Sequence, residues 1–96
     1  MPGCELLNNT NHLINFQINT VRIFPNPTIN QIYFQFEQPL ENAIIRVFNP
    51  LGKLIIQKNM VDSQIEIEVA NWQKYVYYCG ICKDKQLVKQ GTFIKQ

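Results

Sequence analysis

Gln64-Ile65-Glu66-Ile67-Glu68-Val69 alternates polar and apolar residues without a break. On an extended chain this puts Ile65, Ile67 and Val69 on one face and the polar residues on the other. Wound into a helix, the same residues would spread their apolar groups around the axis. The period of two recurs along the sequence. Ile32, Phe34 and Phe36 share a face over 31–37, Ile45 and Val47 over 43–49, and Leu54 and Ile56 over 53–58. Tyr75, Tyr77, Cys79 and Ile81 share one over 75–82, and weaker versions cover 12–18 and 20–24. A last strand is expected over 86–95, with Gly91 a candidate bulge. Only two alanines occur, Ala43 and Ala70, and no window shows the i, i+3, i+4, i+7 spacing of an amphipathic helix.

The connections carry turn chemistry. Asn49-Pro50-Leu51-Gly52 predicts a hairpin turn, with Pro50 presetting φ and Gly52 closing it. Lys83-Asp84-Lys85 predicts a tight turn between the last two strands. At Phe24-Pro25-Asn26-Pro27 neither proline can donate to a ladder, so pairing stops. Phe24 and Asn26, each preceding a proline, are biased to extended geometry. The corner therefore takes the chain off one strand and starts Ile32, Phe34 and Phe36 in a new sheet. Seven or eight short strands with an apolar face each predict an antiparallel β-sandwich around one core.

A chain of 96 residues makes one domain. With 46% hydrophobic and 17% charged residues it is not a disordered tail. A net charge of +2 supplies no strong field for nucleic acid or anionic lipid. Lys83, Lys85, Lys89 and Lys95 cluster late and read as solvated edge protection. No apolar run reaches the ~18 residues of a membrane helix, so direct membrane insertion is not expected. The first twelve residues lack the basic-then-apolar pattern of a secretory signal.

Three cysteines do not make a disulfide framework. Cys79 and Cys82 have C-x-x-C spacing, but on a strand their Cα atoms lie roughly 10 Å apart on opposite faces, beyond disulfide reach. Zinc would need Cys4 and His12 as well. The expected state is two unpaired thiols at 79 and 82, with a bond from Cys4 to either of them left open, and no metal or cofactor.

Catalytic chemistry is not apparent. His12 is the one histidine, so a nucleophile would lack a base with its orienting partner. Glu66 and Glu68, about 7 Å apart on a strand, read as the wet side of an amphipathic strand. Four scattered glycines form no phosphate loop. Trp72, in a connection, is expected to cap an open end of the sandwich. The alternative makes Trp72 and Tyr75 an exposed platform of an adhesion or carbohydrate-binding module.

The order of these features resembles the type A C-terminal sorting domain of the Bacteroidetes type IX (Por) secretion system. Phe24-Pro25-Asn26-Pro27 matches that family's opening corner. Phe48, Asn49, Leu51, Gly52 and Lys53 match its central turn, and Phe93, Ile94 and Lys95 its tail. Tyr77 matches the tyrosine of its Gly-x-Tyr strand, with Tyr75 standing in place of the glycine. The resemblance covers about residues 20–96 and leaves 1–19 as linker or the end of a preceding cargo region.

It implies an immunoglobulin-like sandwich of about seven strands, without enzymatic activity or cofactor, at the end of a larger cargo. The cargo would pass through the periplasm to the outer-membrane surface or the medium. The implied partners are the outer-membrane translocon and a sortase-type peptidase that removes the domain. The translocon would read the terminal segment, Phe93 to Gln96, along an exposed edge. Unprotected edges are also compatible with a homodimer through edge strands.

Overall fold

The computed structural model describes residues 21–38 and 40–96. The strand expected at 12–18 lies outside them. Seven strands follow in chain order: β1 (Val21–Phe24), β2 (Gln31–Phe36), β3 (Ala43–Phe48), β4 (Leu54–Asn59), β5 (Gln64–Glu68), β6 (Val76–Lys83) and β7 (Gln86–Ile94). Each falls within a residue of its expected bounds, and the described residues contain no helix.

The strands form two antiparallel sheets, ordered β1-β2-β5 and β4-β3-β6-β7. This is an immunoglobulin-like sandwich in which the fourth strand joins the larger sheet. β2 alternates buried and half-buried residues, and β5 alternates exposed and buried ones, as a half-buried sheet requires. Ile32, Phe34, Ile45, Val47, Val69 and Phe93 are fully enclosed. Each such side chain contributes about 1.5–3 kcal/mol of burial. β4 is an edge strand and the least protected, with Leu54 and Ile55 at 44% and 40% exposure.

Asn49 organises the central turn. Its side-chain oxygen accepts from the N–H groups of Leu51 and Lys53 at 2.9 and 3.0 Å. Its carbonyl accepts from Gly52 at 2.9 Å. Gly52 sits at φ 89°, where a side chain would be strained. In the β6–β7 hairpin Asp84 and Lys85 both take positive φ, 53° and 70°, as a two-residue type I′ turn demands.

Two expectations change. The irregularity in β7 lies opposite Ile81 and Cys82, which pair with Lys89 and Leu87 and leave Val88 extra. Gly91 pairs regularly with Cys79. Its small size serves packing instead: a Cβ there would come within 2.9 Å of Ile23 Cδ1, where β1 closes against β7.

The cysteines also differ from expectation. Cys79 is a free buried thiol, whereas Cys82 is disulfide-bonded. Strand geometry rules out a bond between these two, which holds, but it does not bear on a longer-range partner for Cys82. Cys4 and His12, which a zinc reading would need, lie outside the described residues.

The late lysines form no single patch. Lys83 ends β6 and Lys85 lies in the turn at one end, Lys89 is exposed on edge strand β7, and Lys95 is buried at the other end.

Candidate recognition site

Antiparallel pairing fixes which turns share an end. β1, β3, β5 and β7 finish where β2, β4 and β6 begin: Phe24 faces Tyr33, Phe48 faces Tyr78, and Val76 faces Ile94. The Pro-Asn-Pro corner, the Asn49–Lys53 turn, the 69–75 connection and the tail therefore crowd one end of the sandwich.

The corner, the tail and the 69–75 connection are joined there by specific bonds, whereas the central turn bonds within itself. The Ile94 N–H donates to the Asn26 side-chain oxygen at 2.9 Å. Thr28 N–H donates to Ile94 O, and Gln96 N–H donates to Thr28 O, both at 2.8 Å. Thr28 and Lys95 thus form a parallel bridge that ties the corner to the tail. On its other side Lys95 N–H donates to Tyr75 O at 2.9 Å. The Thr28 hydroxyl, 1% exposed, donates to Gln31 O, so this buried polar group is satisfied. Both X–Pro bonds of the corner, before Pro25 and Pro27, are cis.

Aromatic rings floor this end. Tyr77 stacks on Phe93 with centroids 5.5 Å apart, and Trp72 packs tilted on Tyr77 at 5.0 Å. The Tyr77 hydroxyl donates to Gln73 O at 2.7 Å. Burial first, then the neighbouring Tyr75, pushes the Tyr77 phenol above its ordinary pKa, partly offset by that bond. Trp72 is half-buried and caps the core, as its place in a connection suggested. Tyr75 is exposed and has no positive φ. A tyrosine thus fits this position without strain, although the family pattern has glycine there.

A groove of ≈ 520 Å³ opens beside this aromatic floor. Pro50, Leu51 and Ile55 line one side, and Trp72, Gln73 and Tyr75 the other. Leu51, at the tip of the central turn, is 91% exposed. A smaller recess of ≈ 260 Å³ lies at the corner between Pro25, Pro27, Ile29 and Tyr33.

The residues singled out in the sequence thus sort by role. Pro25, Asn26, Pro27, Leu51, Gly52, Lys53 and Ile94 are exposed at this end, whereas Tyr77, Phe93 and Lys95 are buried beneath it. The tail is consequently not a loose accessible segment. Phe93 belongs to the core, and the Lys95 ammonium donates to the Gln96 main-chain oxygen at 2.8 Å. Sequence reasoning missed Thr28, whose contacts are all main-chain or local and leave no periodic signal.

The architecture is that of a small β-sandwich whose distinctive residues are gathered at one end. Residues 22–96 match the family described as the secretion system C-terminal sorting domain, and the chain belongs to that family. Membership makes it a type IX secretion sorting signal and implies export to the cell surface or extracellular space as part of a larger protein. It further implies interaction with the type IX secretion machinery, and the family is not one of enzymes. No curated protein matches the chain.

Proposed function

We propose that the outer-membrane translocon of the type IX system recognises the folded motif-bearing end of this sandwich. A sortase-type peptidase at the cell surface then removes the domain, cutting upstream of the sandwich. Residues 20–96 are the sorting domain, and 1–19 are linker or the end of a cargo region.

The observation that carries this reading is the convergence of corner, turn and tail on one surface. The bonds between corner and tail make that part of the signal conformational. Strand addition along the β7 edge at Phe93 to Gln96 would have to displace Asn26 and Thr28, which already bond the Ile94 main chain. Reading the exposed set, Asn26, Leu51, Lys53 and Ile94, needs no unfolding.

The test is fusion of the chain behind a periplasmic reporter in a bacterium with a working type IX system. The reporter is expected at the surface, shortened by the mass of the domain, and it should stay periplasmic when residues 21–96 are removed. Retention of the intact fusion in the periplasm would contradict the proposal.

A further inference from the structure

Strand β6 turns one face to the core and the other outward. Tyr77, Cys79 and Ile81 face inward and belong to the core cluster. Val76, Tyr78, Gly80 and Cys82 take the alternate, outward positions. Pairing of β6 with β3 runs without a register shift, so the alternation holds as far as Cys82. The outward side chains do not share one environment. Val76 and Tyr78 are exposed, whereas Cys82 is 3% exposed and yet lies outside the core cluster. Its neighbours across the strands, Ile44 on β3 and Leu87 on β7, are themselves only half-buried. The outer face of the four-stranded sheet is therefore open near the motif-bearing end and covered at Cys82.

Sulfur chemistry identifies what covers it. The sequence holds three cysteines, Cys4, Cys79 and Cys82. Cys82 is disulfide-bonded and Cys79 is free, which leaves Cys4. We infer that residues 1–19 dock on the outer face of the four-stranded sheet and are clasped there by a Cys4–Cys82 disulfide. A disulfide holds its two Cα atoms within about 7 Å, which sets the segment over Ile44, Cys82 and Leu87. Leu6 and Leu7, close to Cys4 in the chain, supply apolar side chains for that surface. Length permits the path: from Cys4 to Val21 an extended chain spans roughly 55 Å, and the longest dimension of the molecule is 35 Å. Direction permits it too, because β1 begins at the end of the sandwich where β6 finishes.

Closing the clasp removes two protons and two electrons from the two thiols. An exchangeable disulfide accepts them and leaves as two thiols. A protein exported to the cell surface or the extracellular space enters surroundings where such bonds persist. The clasp ties the cargo-side segment to the end opposite the motifs. On the reading that the domain is removed upstream of the sandwich, it has a further consequence. A cut between Cys4 and Val21 leaves cargo and domain joined through sulfur until the disulfide is reduced.

The purified full chain is oxidised with glutathione disulfide, denatured, alkylated and digested with trypsin without reduction. Cleavage after Arg22, Lys74 and Lys83 places Cys4 in peptide 1–22 and the other two cysteines in peptide 75–83. The two peptides are expected as one joined species with Cys79 alkylated. Cys79→Ala should preserve that species and Cys82→Ser should abolish it. Separate peptides, or chains joined to one another through Cys4, would overturn the clasp. Reductant should lower the thermal midpoint of the parent by about 10 °C or more, to the level of Cys4→Ser, and should leave that variant unchanged. A parent midpoint indifferent to reductant would also overturn it.

Docking is read in Cys4→Ser, in which Cys82 is a thiol and the segment is no longer held in place. In the folded variant iodoacetamide should label Cys82 at least about tenfold faster than core-bound Cys79. Equally slow labelling of both would show that the sheet alone encloses Cys82 and would overturn docking of residues 1–19. Each measurement is made on the purified chain, so its failure is distinct from a failure of removal by the peptidase.

Discussion

Asn26 and Ile94 stand 68 positions apart, and the Ile94 N–H donates to the Asn26 side-chain oxygen at 2.9 Å. The bond joins the Pro-Asn-Pro corner to the C-terminal tail, and with the Thr28–Lys95 bridge it makes them one structure. Asn26→Ala would leave the Ile94 N–H without this partner. A loss of about 1–2 kcal/mol is expected, read as a lower denaturant midpoint with an unchanged slope. An unchanged midpoint would show that the bond does not hold the tail.

The strands were legible because alternation and burial have the same period. Gln64–Val69 and Gln31–Phe36 read directly as one-sided strands, and Gly52 read as a turn glycine. What escaped was non-local. Nothing around Cys82 signals its disulfide, nothing around Lys95 signals that a lysine is enclosed, and the choice of sheet for β4 depends on partners rather than on its own residues. The motifs of the candidate site could be recognised one by one, but their meeting at one end follows only from the strand directions.

Lys85 takes φ 70°, where a residue with a Cβ pays a conformational cost. Lys85→Gly should stabilise the domain by about 1 kcal/mol, which for a domain of this size raises Tm by about 4–8 °C. A lower Tm would mean that the Lys85 side chain contributes more than its backbone costs.

Cys79 is enclosed, and burial pushes its thiol from an ordinary 9.0 up to about 12. Below pH 9 the thiol is protonated whether the chain is folded or not, and its contribution to stability is intact. Between pH 9 and 12 only the unfolded chain loses this proton, so stability falls by about 1.4 kcal/mol per pH unit from this group. Cys79→Ala should show a shallower alkaline decline than the parent chain. In the folded protein at pH 8 the thiol should resist iodoacetamide until denaturant is added. Rapid labelling of the native protein would contradict its enclosure.

Gly91 faces Ile23, whose terminal methyl would lie 2.9 Å from an added Cβ. That methyl can swing aside, so Gly91→Ala should cost less than about 1 kcal/mol, whereas the branched side chain of Gly91→Val should cost about 1–3 kcal/mol. Ile23→Ala placed beside Gly91→Val should recover part of that loss in a double-mutant cycle. Equal costs for alanine and valine would show that the contact with β1 does not set the size limit.

The central claim is that secretion depends on one end of a folded domain, and two exposed apolar residues allow a direct comparison. Leu51 is 91% exposed at the motif-bearing end, and Val61 is 79% exposed in the β4–β5 connection at the other. Neither substitution, Leu51→Asp or Val61→Asp, disturbs the core, and matching thermal midpoints would confirm that both variants fold. The decisive measurement is the fraction of each reporter fusion that reaches the cell surface. Leu51→Asp is expected to hold the fusion in the periplasm while Val61→Asp reaches the surface like the parent. Normal delivery of folded Leu51→Asp, or equal loss from both substitutions, would contradict recognition of this end.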